Sequence, residues 1–190
     1  EKLTKIEKLC HHLHLSLQSG SDRILKLMNR HYTTDEYLSI VKSIKKYWDD
    51  VAFTTDIIVG FPDESDDDFN RTVEFVKEVE FSRIHVFRFS PKKGTRAYDM
   101  QNQVPPAVKE KRSHVLKELA KELSLKFHKK FLGNDLDVLI EQKSNVEGYY
   151  EGYSNNYIKV LIKKDDAIKA GEIYRVSIES VYKDYVKGYV

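Results

Sequence analysis

Residues Val51-Ala52-Phe53-Thr54-Thr55-Asp56-Ile57-Ile58-Val59-Gly60-Phe61-Pro62 decide the fold. The centre, Ile57-Ile58-Val59, is continuously apolar, as suits a parallel strand covered on both faces. Gly60-Phe61-Pro62 ends the strand. Upstream, Leu13-His14-Leu15-Ser16-Leu17 alternates with period two and reads as a strand. Gln18-Ser19-Gly20-Ser21-Asp22 breaks it, and Ser21 or Asp22 can cap a following helix. Thr33 and Glu36 fit a capping box that opens a helix through about Tyr47. Downstream, Ser65 with Asp66, Asp67 and Asp68 starts a helix to about Val79. Ile84 to Phe89 is a third strand, 90–106 a loop, and 106–131 a long helix. Strands alternating with helices of this length imply βαβ units and a parallel sheet.

After residue 131 the pattern changes. Asp135-Leu136-Asp137-Val138-Leu139-Ile140-Glu141 alternates, as do 157–162 and 173–178. Gly148, Gly152, Gly171 and Gly188 punctuate them. Four or five short strands in so few residues suggest a small antiparallel barrel of OB-like type. Several such barrels bind single-stranded nucleic acid on an aromatic, basic face. The composition shifts at the same place. Residues 131–190 carry eight Lys/Arg and ten Asp/Glu, net −2, against 24 and 20 before them. Eight of the 12 tyrosines follow residue 131, and eight of the nine phenylalanines precede it. The reading is two domains, 1–130 and 131–190, with no repeat or low-complexity segment.

Composition excludes several classes. The chain has 190 residues, 41% hydrophobic and 33% charged, which is soluble globular composition. No run approaches the roughly 20 apolar residues of a spanning helix. Glu1 to Cys10 reads as a charged amphipathic helix without signal or transit character, so the expected location is cytoplasmic. A net charge of +2 predicts neither strong nucleic-acid attraction nor repulsion. The single cysteine, Cys10, excludes an internal disulfide and a Cys-only zinc site. It also excludes an iron–sulfur cluster held by this chain alone, which needs about three or four thiolates. His11, His12 and His14 beside Cys10 lack a second ligand pair at finger spacing. His14 therefore reads as packed or pocket-lining, and the other two as surface. The acidic run at 63–68 fits a helix N-terminus better than a cation site, so no metal is expected.

Three strings carry a family resemblance. They are His12-Leu13-His14-Leu15-Ser16-Leu17-Gln18-Ser19-Gly20-Ser21 with Met28-Asn29-Arg30-His31-Tyr32-Thr33; then Thr54 to Pro62 with Glu64; then Phe89-Ser90 with Gly94-Thr95 and Ala97. In this order and spacing the chain resembles the radical S-adenosylmethionine tRNA methylthiotransferases, most of all the threonylcarbamoyladenosine branch. The resemblance covers essentially the whole chain but only the back half of the family's length. It implies an α/β fold: the C-terminal part of a parallel (β/α) radical-SAM partial TIM-like barrel, followed by an OB-like TRAM domain. Ser16 departs from the proline, and Asp63 from the glycine, of many relatives.

The resemblance also implies a chemistry. In the complete enzyme two 4Fe-4S clusters, bound by upstream cysteines absent here, act with S-adenosyl-L-methionine. Reductive cleavage of that cofactor yields a radical that takes hydrogen from C2 of the adenine, and a methylthio group replaces it. This chain is expected to hold no cluster, to have no turnover alone, and to need the missing N-terminal part of the same protein. Its exposed parallel-strand edge predicts self-association. No membrane partner is expected. The partner implied is tRNA, at the anticodon stem-loop. Two alternatives stay open: a methylthiotransferase acting on a ribosomal-protein aspartate, and a non-catalytic RNA-binding module.

Residue by residue, Gln18 and Ser19 end a parallel strand, at the rim where α/β barrels bind ligands. Gly20 permits close backbone approach. Arg30 can grip a carboxylate with two hydrogen bonds, or simply favour a helix C-terminus. Asp56 can accept from ribose hydroxyls or an ammonium, or pair with Arg30. The resemblance gives Gln18, Ser19, Arg30 and Asp56 cofactor roles, and puts Ile58, Gly60, Phe87 and Phe89 near the adenine. Alternating phenylalanines on a strand are also ordinary core. Helix 107–131 carries eight Lys/Arg against three Glu. Lys126, Lys129 and Lys130, with Lys109, Arg112 and others, make a candidate phosphate track, or a solvated face. Tyr149, Tyr153 and Tyr157, with Tyr150, are candidates to stack on bases.

Overall fold

The structure, a computed structural model, describes residues 6, 8–165 and 167–190. The helix expected over 1–10 falls largely outside them. The chain divides into two compact units, one of 14–47 and 53–120 and the other of 1–13, 48–52 and 121–190.

The parallel sheet has the order β1 (His12–His14), β2 (Ala52–Val59), β3 (Arg83–Arg88), and all of it but His12, Leu13 and Ala52 belongs to the first unit. Between the strands run α1 (Asp22–Leu27), α2 (Thr34–Lys45) and α3 (Asp66–Val79). The capping box expected at Thr33 forms and a second is found at Ser65: the two hydroxyls accept from the backbones of Glu36 and Asp68, whose carboxylates return the bond. α1 stops in a Schellman arrangement. Asn29 takes a left-handed φ of 59°. Arg30 N–H donates to Leu25 O at 2.9 Å and Asn29 N–H to Lys26 O at 3.1 Å. The helix thus ends at Leu27, and Arg30 lies beyond it rather than terminating it.

One face of the sheet is covered along its whole length, the other only towards the start of β2, at Ala52 and Thr54. Phe53, Thr55, Ile57 and Val59 are at most 2% exposed, packed in a core with Ile24, Leu25, Val41, Val76 and Val79. The Tyr37 hydroxyl donates to Leu15 O at 2.7 Å, and its ring meets Phe75 and Phe81 edge-on. The other face shows Asp56 and Ile58 only half-buried and Phe87 53% exposed. Cover on both faces, expected from the apolar run, is therefore corrected: Ile58 belongs to the open side. The loop after β3 contains one short helix that the sequence did not announce, α4 (Arg96–Asp99). α5 (Pro106–Lys129) follows.

The second unit is a closed five-stranded barrel: β4 (Asp135–Lys143), β5 (Tyr149–Ser154), β6 (Lys159–Lys163), β7 (Ile173–Val181) and β8 (Val186–Tyr189). The order around it is β4-β5-β6-β8-β7, antiparallel except for the β6–β8 pair. Val138, Ile140, Val160, Ile162, Val176, Ile178 and Val186 fill the interior, and Phe127 and Phe131 close onto it. The core of this unit thus takes in the last turn of α5. Gly152 and Gly188 occupy inward positions where a Cβ would lie 2.0 Å from Leu139 O and 2.4 Å from Ser177 O. The small barrel has room there for backbone alone.

Candidate functional site

The open sheet face of the first unit is polar towards its N-terminal half and apolar towards its C-terminal end. Parallel register sets Asp56 beside His85 and Ile58 beside Phe87. The His14 imidazole reaches three partners. Its Nδ1 is 3.0 Å from Thr54 Oγ1, and its Nε2 is 3.1 Å from Ser16 Oγ and 3.2 Å from Asp56 Oδ2. Ser16 Oγ also donates to Asp56 Oδ2 at 3.2 Å. Asp56 thus belongs to a His14–Ser16 group, and among the described residues it is not paired with Arg30. A carboxylate held by an imidazole and a hydroxyl on an open face, next to an exposed apolar step, can accept from ligand hydroxyls while Ile58 and Phe87 take a flat ring.

Gln18 and Ser19 are placed differently. Gln18 adopts φ 68°, donates its N–H to Asp56 O and accepts from Ile58 N–H, both at 2.9 Å. It continues the β1–β2 ladder past a bend, and is 7% exposed. Ser19 is 1% exposed; its Oγ lies 3.4 Å from Thr72 Oγ1 and accepts from Ser21 N–H. The close approach at Gly20 is to α3, where an added Cβ would sit 2.6 Å from Thr72 Cα. Arg30 is exposed, beside Tyr32, whose hydroxyl donates to Ser16 O and Leu17 O at 3.0 Å. Burial raises the Tyr32 hydroxyl's pKa, and Arg30 draws it back.

The end of β2 is built from α5. Gly60 has φ 73°, and a Cβ there would lie 2.3 Å from Lys109 Cγ. The space over Gly60 is therefore filled by the Lys109 stem. Lys109 Nζ donates to Phe89 O at 3.0 Å and sits 5.2 Å from the Phe89 ring. Burial pulls its pKa down. Gly60 N–H donates to Glu64 Oε2 at 2.7 Å, and Arg112 Nη1 donates to the same oxygen at 2.6 Å. Arg112 Nη2 reaches Asp66 at 2.8 Å. Lys109 and Arg112 are only 9% and 5% exposed. Both leave the phosphate track proposed from sequence, because one seals a glycine and the other neutralises a buried carboxylate. Lys126, Lys129 and Lys130 are exposed.

Asp68 closes α1 onto α3. Burial opposes its charge, but hydrogen bonds from Arg23, Ser21 and Ser65 outweigh that and hold its carboxyl well below the usual range. The acidic run is thus capping and pairing. Among the described residues no group of three or more His, Cys, Asp or Glu is placed to hold a metal ion. Cys10 is exposed, and one thiolate does not fit an iron–sulfur cluster. No described helix is long and apolar enough to cross a membrane.

The barrel unit carries two aromatic groups. In one, Tyr157 lies between Tyr153 and His12, with centroids 4.7 and 4.5 Å away. In the other, Lys187 Nζ lies 4.6 Å from the Tyr149 ring and 5.6 Å from that of Tyr182, and Tyr182 stacks on Tyr185 at 4.7 Å. Partial burial works against the Lys187 charge, but the hydrogen-bonded Tyr149 hydroxyl and Tyr182 and Tyr185 leave its pKa raised. The structure therefore separates Tyr149 from Tyr153 and Tyr157. Tyr182, Tyr185 and Lys187 were missed in sequence. Their signal is Tyr182-Lys183-Asp184-Tyr185-Val186-Lys187, aromatics flanking a two-residue turn with a lysine two residues on. His11, read as surface, stacks on Trp48 at 4.6 Å and meets Asp50 at 2.6 Å.

A three-stranded parallel sheet with a partly open polar and apolar face and a small closed barrel define a class: α/β domain plus OB-like module. Sequence comparison narrows it. The Radical SAM superfamily matches residues 1–76. The chain is 42% identical over 179 residues to the threonylcarbamoyladenosine tRNA methylthiotransferase of Thermotoga maritima, covering 94% of this chain and 40% of that protein. It is 44% identical over 161 residues to the tRNA-2-methylthio-N(6)-dimethylallyladenosine synthase of Caldicellulosiruptor saccharolyticus, covering 85% and 34%. The synthase of Clostridium tetani is 48% identical over 142 residues, covering 75% and 31%. Over most of its own length the chain is thus similar to tRNA methylthiotransferases, and it spans about 40% of the length of the first of them.

Proposed function

We propose that this chain is the C-terminal portion of a tRNA methylthiotransferase that places a methylthio group on C2 of N6-threonylcarbamoyladenosine beside the anticodon. The observation that carries the reading is the 42% identity to a threonylcarbamoyladenosine enzyme over 94% of the chain. In this reading 1–130 is the back half of the catalytic barrel and 131–190 the RNA-binding module. The missing N-terminal part supplies the cysteines for both 4Fe-4S clusters. S-adenosyl-L-methionine, when bound, supplies the hydrogen-abstracting group and the methyl.

This chain's own residues do the holding. Asp56, oriented by His14 and Ser16, accepts from ribose hydroxyls. Ile58 and Phe87 form the apolar step for the adenine. Gln18 shapes the rim through its backbone, and Ser19 supports it from below. Gly60 and Phe89 close the end of the face under Lys109. Arg30, exposed beside the rim, takes the cofactor carboxylate. The test is nucleoside mass spectrometry of tRNA from a strain lacking the intact protein. Loss of 2-methylthio-N6-threonylcarbamoyladenosine, with its precursor accumulating, supports the reading. Loss of the dimethylallyl nucleoside instead moves the substrate to that of the second and third relatives. Unchanged tRNA overturns it.

A further inference from the structure

The turn between β7 and β8 is a two-residue hairpin closed by Tyr182 N–H donating to Tyr185 O at 2.9 Å. Tyr182 and Tyr185 flank it, and their rings lie 28° from parallel with centroids 4.7 Å apart. This pair is anchored. The carbonyl of Tyr182 meets Nδ1 of His128, on the last turn of α5, at 2.7 Å. His128 itself is 5% exposed. An aromatic pair fixed at both backbone and base loses little freedom on meeting a ligand, so its flat surface is available at low entropic cost.

A cation completes the group. Lys187 stands two residues after Tyr185 on β8, on the same side of the strand, opposite Leu161 of β6. Its ammonium lies against the rings of Tyr149 and Tyr182. Among the described residues no carboxylate lies within ion-pair distance of it. Lys163 pairs opposite Tyr149, Lys183 sits in the turn, and Lys129 and Lys130 follow His128. Asp184 in the turn and Glu179 in the β7 bulge beside the Ser180–Lys187 pair offset them, so what marks the patch is the Lys187 ammonium lying against aromatic rings rather than a net basic charge.

The second aromatic group differs. Tyr157 has rings on both sides, and the neighbouring cation Lys159 is paired with Glu151 at 2.9 Å. Three hydrogen bonds lower the Glu151 carboxyl to about 2, those from Gln142 and Lys159 foremost, so it stays anionic there. A phosphate would meet that charge.

We propose that Tyr185, Tyr182, Lys187 and Tyr149 form the single-stranded RNA contact of the barrel, an unpaired base stacking on Tyr185 and an adjacent phosphate resting on Lys187. This rests on the tRNA reading and gives it a place. Stacking of a base on an aromatic ring accepts any base, and a lysine contact to a phosphate is weakened by salt.

The experiment is fluorescence anisotropy of this chain with a labelled anticodon stem-loop RNA at several salt concentrations. The variants are Tyr185→Leu, which keeps volume but removes the flat face, and Lys187→Gln. Tyr153→Leu, in the other aromatic group, is the control. Thermal melts establish that each variant is folded. Tyr185→Leu weakens binding about 10-fold. Lys187→Gln makes the slope of log affinity on log salt shallower by about 0.7. Tyr153→Leu changes neither. RNA binding by the parent chain that neither Tyr185→Leu nor Lys187→Gln alters overturns the proposal. So does parent chain that binds an acidic peptide and no RNA. Both outcomes leave the methylthiotransferase reading to the nucleoside analysis, which tests it separately.

Discussion

Arg112 and Glu64 form a buried ion pair, 2.6 Å apart, with side chains 6% and 2% exposed. The pair ties α5 to the loop after β2, and the same Glu64 oxygen holds Gly60 N–H. Among the described residues Arg112 Nε has no hydrogen-bond partner. Removing one member of such a pair leaves an uncompensated buried charge, which typically costs about 3–5 kcal/mol. Arg112→Met therefore lowers the urea midpoint steeply. Arg112→Met with Glu64→Gln recovers part of the loss, because no charge is then stranded. A double-mutant cycle showing simple additivity would sink this account.

Gly60 is the second element of that corner. Its φ of 73° disfavours any L side chain, and the Lys109 stem occupies the space. Gly60→Ala costs at least about 1 kcal/mol from backbone conformation, before any clash. Lys109→Ala in the same chain relieves the clash and leaves the backbone cost. Equilibrium unfolding of the two single variants and the double variant measures both parts.

These two corners also mark where sequence stops being readable. The capping box at Thr33 and the helix start at Ser65 were legible because every partner lies within three residues. So were the alternating strands of the barrel, whose inward set is a period-two pattern. Lys109 and Arg112 looked like members of a charged helix face. Their burial depends on Gly60 and Glu64, more than 40 residues away, and no local period encodes that. The β6–β8 pairing that closes the barrel is non-local for the same reason. Asp56 and Ile58 were put forward as site residues through their motif. Their partial exposure, against the full burial of Ile57 and Val59, is a tertiary property that the apolar run at 57–59 does not reveal.

His128 makes the barrel unit sensitive to acid. Burial pulls its pKa below the usual histidine value, opposed by its bond to Tyr182 O and by Asp184. The unfolded chain then binds a proton near pH 6.5 that the folded chain does not. Stability is flat above that pH. It falls as pH drops through 6.5 towards the folded value, at up to about 1.4 kcal/mol per pH unit for one proton. His128→Gln removes this contribution. Melting temperatures between pH 5 and 8 test it: a slope unchanged in His128→Gln would assign the effect elsewhere.

His14 and Asp56 separate stability from binding. Their side chains are 41% and 32% exposed, and the contact is 3.2 Å. A half-exposed pair of this kind contributes at most about 1 kcal/mol to folding. Asp56→Asn removes a charged acceptor from the open face while keeping its shape, and His14→Phe removes the donor that orients it. Both variants keep the parent melting temperature to within a few degrees. In the cofactor reading, both weaken binding of S-adenosylhomocysteine measured by calorimetry, Asp56→Asn more than His14→Phe, since one touches the ribose and the other acts through it. Loss of stability with unchanged binding would instead make the pair a structural brace between β1 and β2.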